Sequence, residues 1–266
     1  MLLLKRRRLC SIIRVNQIKY LKHNIGDIQM NRGDVIKYID MEKAEDFSMQ
    51  RGMNYMVNGK DYAIILMSVR ENAPYADRFE NDGATIIYEG HDVSKRDCPD
   101  GVQPKEIDQQ LYLPSGKLTE NGKFYTAAKK HKDQGAPARK VKVYEKIKSG
   151  IWVYNGYFDL VDAFFENTGT RNVYKFKLQA INESVEDSSP NSDIAILEQE
   201  HNRLIPTAVK VAVYARDKGK CVKCGATTNL HYDHILPFSK GGSSTTPDNI
   251  QLLCAACNLK KHDHIE

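Results

Sequence analysis

Apolar and polar positions along the chain sort into three patterns. Between about residues 30 and 181, apolar runs of strand length alternate with turn signals: YAIILMSV, ATIIYEG, KVKVYEKI, GIWVYNGYFDLVDAFF and NVYKFKLQAI. Several are rich in β-branched and aromatic residues, as strands packed on a core require. Gly83, Gly90, Gly101, Gly116, Gly122, Gly135, Gly150 and Gly169 punctuate them. This pattern predicts a mostly β region, a barrel or strongly curved sheet with flanking helices, one of them around residues 121–132. Residues 182–202 open with NESVEDSSPNSD, polar and free of aromatics, which predicts a linker. From 203 onward the pattern changes again. TAVKVAVYARD behind Pro206 predicts a helix. A strand is expected over 230–236, then a Gly/Ser-rich loop through Pro247, a returning strand over 249–253 and a helix from Ala255 to Lys261. The expected class is therefore α+β, with two folded regions.

Charge sharpens this division. The chain has 266 residues and a net charge of +5, but residues 1–23 carry +7, residues 182–200 carry −6 and residues 201–266 carry +4. A short basic C-terminal region suits a polyanion. Residues 1–29 read as a basic arm, since three leucines precede the basic run, the reverse of a secretory signal. No apolar run approaches the ~20 residues that span a bilayer. No membrane association and a cytoplasmic location are expected.

The cysteines point to a metal. Cys10 and Cys98 stand alone, whereas Cys221, Cys224, Cys254 and Cys257 form two Cys-x2-Cys knuckles separated by 29 residues. Two such knuckles let four thiolates converge on one zinc ion. Disulfides are disfavoured without an export signal. Four protein ligands leave no open position, so the zinc is expected to be structural.

Between and just beyond the knuckles runs LHYDHILPFSKGGSSTTPDNIQLLCAACNLKKHDH. Asp233 and His234 are adjacent, Asn249 opens the second predicted strand and Asn258 lies on the final helix. Over roughly 203–265 this arrangement resembles the HNH nuclease family, with its ββα-metal fold inside a four-cysteine frame. The resemblance implies phosphodiester hydrolysis. His234 would be the general base, Asp233 would bind a catalytic Mg²⁺ or Mn²⁺, Asn258 matches the second metal-ligand position and Asn249 matches the residue that orients the base. Many relatives carry His where Asn258 stands. His231 is expected to support the strand, Lys260 and Lys261 are candidate phosphate contacts, and His262 and His264 are expected to be tail.

The first region carries its own motif series: Asp82, Gly83, Tyr88 and Gly90 in DG-x4-Y-x-G, then DQQL and LTEN at 108–111 and 118–121, then YNGYFDLVD. Over about 30–181 the series resembles the SRA domain, a curved β-barrel that flips 5-methylcytosine out of duplex DNA. Asn155 replaces the Asp of the family's YDG motif. The resemblance implies that Tyr75 and Tyr88 sandwich the flipped base and that Asp77 accepts from its exocyclic amine, with Asp82 a competitor for that role. Trp152, Tyr154, Tyr157 and Phe158 are expected in the core. Together the two resemblances imply a modification-dependent endonuclease acting on double-stranded DNA that contains 5-methylcytosine or 5-hydroxymethylcytosine. It would cut at a distance reached through the acidic linker, as a homodimer or by sequential nicks, in host defence. The alternatives are a nuclease whose barrel reads another modified base or RNA, and a module that binds methylated DNA without cutting.

Overall fold

Strand β7 (Ile151–Asn167) is the spine of the molecule. In this computed structural model, which describes residues 30–181, 204–237 and 240–261, β7 pairs along one side with β6 (Arg139–Lys148). On its other side it pairs with β1 (Asp34–Lys37) near its start and with β8 (Asn172–Ala180) over its second half. β6 continues in parallel to β3 (Ala63–Met67), and β3 to the two-residue β2 (Met53–Asn54). β8 continues to β5 (Thr85–Glu89) and then β4 (Arg78–Glu80). Register shifts at Lys142/Tyr144 and Leu160/Asp162 mark bulges, which bend strands and increase their twist. The inward faces share one core. Tyr88, Phe124, Val141, Val143, Phe158, Phe176 and Leu178 are buried there. Among the described residues no ladder joins β2 to β4, so the expected barrel is a curved sheet with those two strands as edges.

Helix α1 (Tyr38–Glu45) follows β1, and α2 (Glu120–Gln134) packs on β7. The α2 boundaries follow from local chemistry. Thr119 caps the first turn by accepting from the Gly122 N–H, and Gly135 ends the helix in the left-handed region at φ +67°. Trp152, Tyr154 and Phe158 are buried as expected.

The C-terminal portion consists of α3 (Thr207–Arg216), β9 (Leu230–His234), β10 (Ile250–Cys254) and α4 (Ala255–Lys261). Its hairpin does not stand alone. β9 pairs with β10 on one side and with β1 on the other, with Asp34 opposite His231 and Val35 opposite Leu230. One ten-stranded sheet therefore runs from β10 through β1 and β7 into the first region. The second core is shared in the same way. Ile147 and Val153 of the first region are buried with Val209, Val213, Tyr232, Ile250 and Leu252. The basic arm, the acidic stretch, His262 and His264 lie outside the described residues.

Candidate active site and base pocket

The four cysteines come from two turns. Gly225, at φ +77°, lets the chain reverse after Cys224, and its N–H donates to the Cys221 carbonyl at 2.8 Å. Cys254 ends β10 and Cys257 lies near the start of α4. Their Sγ atoms all lie within 4.8 Å of one another, those of Cys224 and Cys254 at 3.6 Å. Four sulfurs each ~2.3 Å from one tetrahedral zinc stand about 3.8 Å apart, so the spacing fits that ion. Burial opposes a thiolate at Cys221, but backbone N–H groups of Cys254, Cys224 and Lys223 outweigh it and lower its pKa to about 6. Hydrogen bonding with the sulfurs of Cys254 and Cys224 pushes Cys257 up to about 12. Thiols packed this closely cannot all ionise unaided, and a divalent cation removes the conflict. The cluster suits structural zinc.

Asp233 and His234 end β9, opposite Gln251 and Ile250 of β10. The buried Lys261 at the end of α4 ties the unit together. Its Nζ donates to the His234 carbonyl at 2.7 Å and pairs with Asp233 Oδ2 at 3.0 Å. Gln251 Nε2 donates to the same carboxylate oxygen at 3.0 Å. Both contacts fall on Oδ2 and neither on Oδ1. Asn258 lies three residues before Lys261 on α4, and so on the same face. A carboxylate and an amide oxygen are hard donors that fit Mg²⁺ or Mn²⁺.

His234 is held on both flanks. Its Nε2 lies 2.8 Å from the hydroxyl oxygen of the buried Ser244. Burial lowers its pKa, Asp233 opposes that and Lys261 reinforces it, with a net downward shift. That shift favours the neutral imidazole, the form a proton acceptor needs.

Asn249 acts one step away, as a clamp on the loop that carries Ser244. Its Oδ1 accepts from the Leu236 N–H at 2.8 Å, and its Nδ2 donates to the carbonyls of Leu236 and Ser243 at 3.1 and 2.9 Å. Gly242 makes the closure possible, because a Cβ there would lie 1.8 Å from the Leu236 carbonyl oxygen. Asn249 itself sits in a short helical turn, Pro247–Asn249, just ahead of β10 rather than inside the strand. Sequence reasoning missed Ser244 and Gln251, and treated Lys261 as a phosphate contact. The signal for Lys261 was its three-residue spacing from Asn258; Ser244 sits among identical serines and gave none.

In the first region Asp77 is buried between strands. Its Oδ2 accepts from the Ser68 N–H at 3.1 Å and its Oδ1 from the Glu89 N–H at 3.0 Å. Burial outweighs these bonds and raises its pKa to about 6. Tyr88 adjoins Glu89, whose N–H donates to Asp77, and the Tyr88 hydroxyl shares the Gly52 side with His91, the ring beside Tyr75, so the three lie close together. Asp82 stands apart, exposed at φ +54° in the turn between β4 and β5. The two tyrosines differ in access: Tyr88 is fully buried in the main core, and Tyr75 is half-buried. The ring that stacks on Tyr75 is His91, at 6.2 Å and 28°, and Lys105 Nζ lies 3.9 Å from the Tyr75 centroid. Gly52 closes the far side, since a Cβ there would come within 2.8 Å of the Tyr88 hydroxyl and 3.1 Å of His91 Nε2. Beneath lies a buried charge network in which Glu89 pairs with Lys175 at 2.9 Å and Arg171 pairs with Asp92 at 2.7 Å. His91, whose pKa burial lowers to about 4, was not singled out from the sequence.

Residues 221–264 match the family model for HNH endonucleases. The match spans the four cysteines, Asp233, His234, Asn249 and Asn258. A probable HNH endonuclease of Lactococcus phage SK1 is 41% identical over 20% of this chain and 65% of its own length. This chain thus spans about two-thirds of that relative. Among solved structures, the SUVH5 SRA domain in complex with hemi-methylated CG DNA is 24% identical with a TM-score of 0.41, covering 60% of this chain and 95% of that one. The same domain bound to fully hydroxymethylated CG DNA is 22% identical with a TM-score of 0.41, covering 61% and 96%. Arabidopsis thaliana SUVH6 in complex with SAM is 20% identical with a TM-score of 0.35, covering 64% and 28%. No helix among the described residues is long and apolar enough to cross a membrane.

Proposed function

We propose that this chain is a DNA endonuclease whose first region recognises modified cytosine and whose HNH portion hydrolyses a nearby phosphodiester. The observation that carries the reading is the HNH centre: a neutral His234 beside Asp233, with Asn258 on the facing helix, inside a frame that fits zinc. His234 takes a proton from water, and the hydroxide attacks phosphorus. Ser244 and the Asn249 clamp hold the imidazole and its loop in place. Asp233 Oδ1 and Asn258 would hold Mg²⁺ or Mn²⁺, which when bound neutralises the scissile phosphate and the leaving 3′ oxygen. Lys261 already neutralises part of the Asp233 charge, so a cation binds in competition with it. One such centre cuts one strand; a double-strand break takes two copies or two successive nicks.

Recognition of the base rests on Asp77, Tyr75 and Tyr88. A buried carboxylate suits the exocyclic amine of a flipped cytosine. The half-buried Tyr75 offers a stacking face, and Tyr88 lies behind it.

A matched cleavage assay tests the whole reading. One duplex is prepared with cytosine, 5-methylcytosine or 5-hydroxymethylcytosine at the same positions and given Mg²⁺ or Mn²⁺ at fixed salt. Cutting of the modified duplexes alone is expected, and His234→Ala should lose roughly 10²–10⁴-fold in rate while retaining DNA binding. Equal cutting of all three forms would overturn the modified-base reader. No cutting by the folded, zinc-loaded protein would leave a binding module or another substrate.

A further inference from the structure

The junction between the two regions is built from buried polar groups, and its chemistry is specific. Lys210, on α3, is almost wholly inaccessible. Its Nζ donates to Glu145 Oε2 of β6 at 2.6 Å and to Asn155 Oδ1 of β7 at 2.8 Å. Asn155 completes the triangle by donating from Nδ2 to the same Glu145 oxygen at 2.9 Å. Thr207, at the start of α3, donates to Glu145 Oε1. Glu145 and Asn155 are both fully buried. The amide at 155 accepts from the ammonium through Oδ1 and donates to the carboxylate through Nδ2 at once. An aspartate there would set a second carboxylate against Glu145.

Within the C-terminal portion the Tyr232 hydroxyl of β9 donates to the Lys210 carbonyl at 2.7 Å, and two further contacts make the same junction. His231 Nδ1 bonds Asp34 of β1. The β1–β9 ladder makes the two sheets one. The chain leading away from the first region is anchored as well: the Ile181 N–H donates to the Tyr157 carbonyl at 3.1 Å, and Leu204 packs in the main core against Gly83. Whatever path residues 182–203 take, they leave and rejoin one body.

We propose that Lys210, Glu145 and Asn155 are positioning residues that lock the HNH centre rigidly to the first region, so that this junction, and not the acidic stretch, sets where cleavage falls. The inference rests on the nuclease reading for its functional consequence. Fixed geometry gives a narrow set of cleavage positions measured from the recognised base. A tethered centre would instead sweep the duplex.

Two measurements test this. In the first, about 12 Gly/Ser residues are inserted at 190. Such a stretch spans about 20 Å root-mean-square, or roughly six base pairs at ~3.4 Å each. Cleavage positions are mapped at nucleotide resolution on a long duplex with a single modified cytosine. The expected result is the same narrow set of positions with and without the insertion. Positions that shift or spread by several base pairs on insertion would overturn the proposal. Lys210→Met and Asn155→Asp should each spread the positions, and Lys210→Arg should restore them in part, which a merely destabilised protein would not do.

The second measurement needs no DNA. Spin labels on Lys140→Cys and Lys220→Cys, with Cys10 and Cys98 replaced by serine in zinc-loaded protein, report one distance by electron–electron resonance. A single narrow distribution, unchanged by the insertion, is expected. A broad distribution in the otherwise native chain would overturn the rigid junction even if the cleavage reading held. A narrow one without any cleavage would overturn the nuclease reading and leave the junction intact.

Discussion

The two regions hold their functional groups by different means. Asp77 adjoins a sheet whose core is filled by large side chains, among them Tyr88, Phe124, Phe158 and Phe176, and backbone N–H groups just after β3 and at the end of β5 fix both of its oxygens. His234 and Asp233 sit at the end of a five-residue strand, held by a seven-residue helix, a loop clamped through one asparagine and a cluster of sulfurs. Apolar burial suffices for the first. The second is too small to bury a core of its own, and it draws on a four-cysteine cluster that fits zinc, on Val35 and Val153 of the neighbouring strands and on an ion pair with Glu145 of β6. The contrast teaches that the smaller region's stability is partly borrowed.

The contrast is broken most severely by removing the metal. Structural zinc contributes of order 10 kcal/mol in isolated fingers, and somewhat less is expected here because β1 and β7 already template the hairpin. Chelation or Cys254→Ser should abolish cleavage. It should also strip amide protection from 221–261 while 63–67 and 173–178 stay protected, as read by hydrogen exchange.

Next in size is the borrowed ion pair. Lys210→Met leaves Glu145 charged, buried and without its cation, a loss of about 3–5 kcal/mol measurable by chemical denaturation. Adding Glu145→Gln should recover much of that loss.

In the first region the expected effects are smaller. The carboxylate of Asp77 exists above its raised pKa of about 6. Binding of modified duplex, if the carboxylate is the acceptor, weakens as pH falls through that value. A hydrogen bond to a charged group contributes about 1.5–3 kcal/mol, so a binding titration between pH 5 and 7.5 should show a loss of about five- to tenfold toward the acid end. The same shift carries a stability term of opposite sense: a carboxyl that is more basic folded than unfolded favours the fold at low pH, and that contribution is lost as pH rises through about 6. Tyr75→Ala should cost about 1–3 kcal/mol of binding through lost stacking, with little change in stability because the ring is only half-buried.

Local features were legible in the sequence and long-range ones were not. The knuckle spacing, the Asp233–His234 pair, α3 behind Pro206 and the helix over Ala255–Lys261 all depend on neighbours within a few residues. The pairing of β1 with β9 joins residues 197 positions apart, and DVIK says nothing of its partner. β7 was legible as one run, GIWVYNGYFDLVDAFF, but its burial on both faces was not: residues 152–156 are buried in succession, with Val153 in the second core and Asn155 in the polar junction, and such a stretch lacks the alternation that marks a half-buried strand. Lys261 read as a phosphate contact and Lys210 was not singled out, because lysine is rarely buried; the carboxylates brought to them by the fold account for their positions. The roles of Tyr75 and Tyr88 looked symmetric in sequence, yet a core strand and a loop give them unequal access.

The continuous sheet also orders events during synthesis. β1 is made before β9 by nearly two hundred residues, so the free edge of β1 waits through the translation of everything between. An unpaired edge invites other strands, and here the hairpin that covers it carries the HNH centre. The later hairpin therefore seals that edge and brings the Asp233–His234 pair to the sheet in the same step.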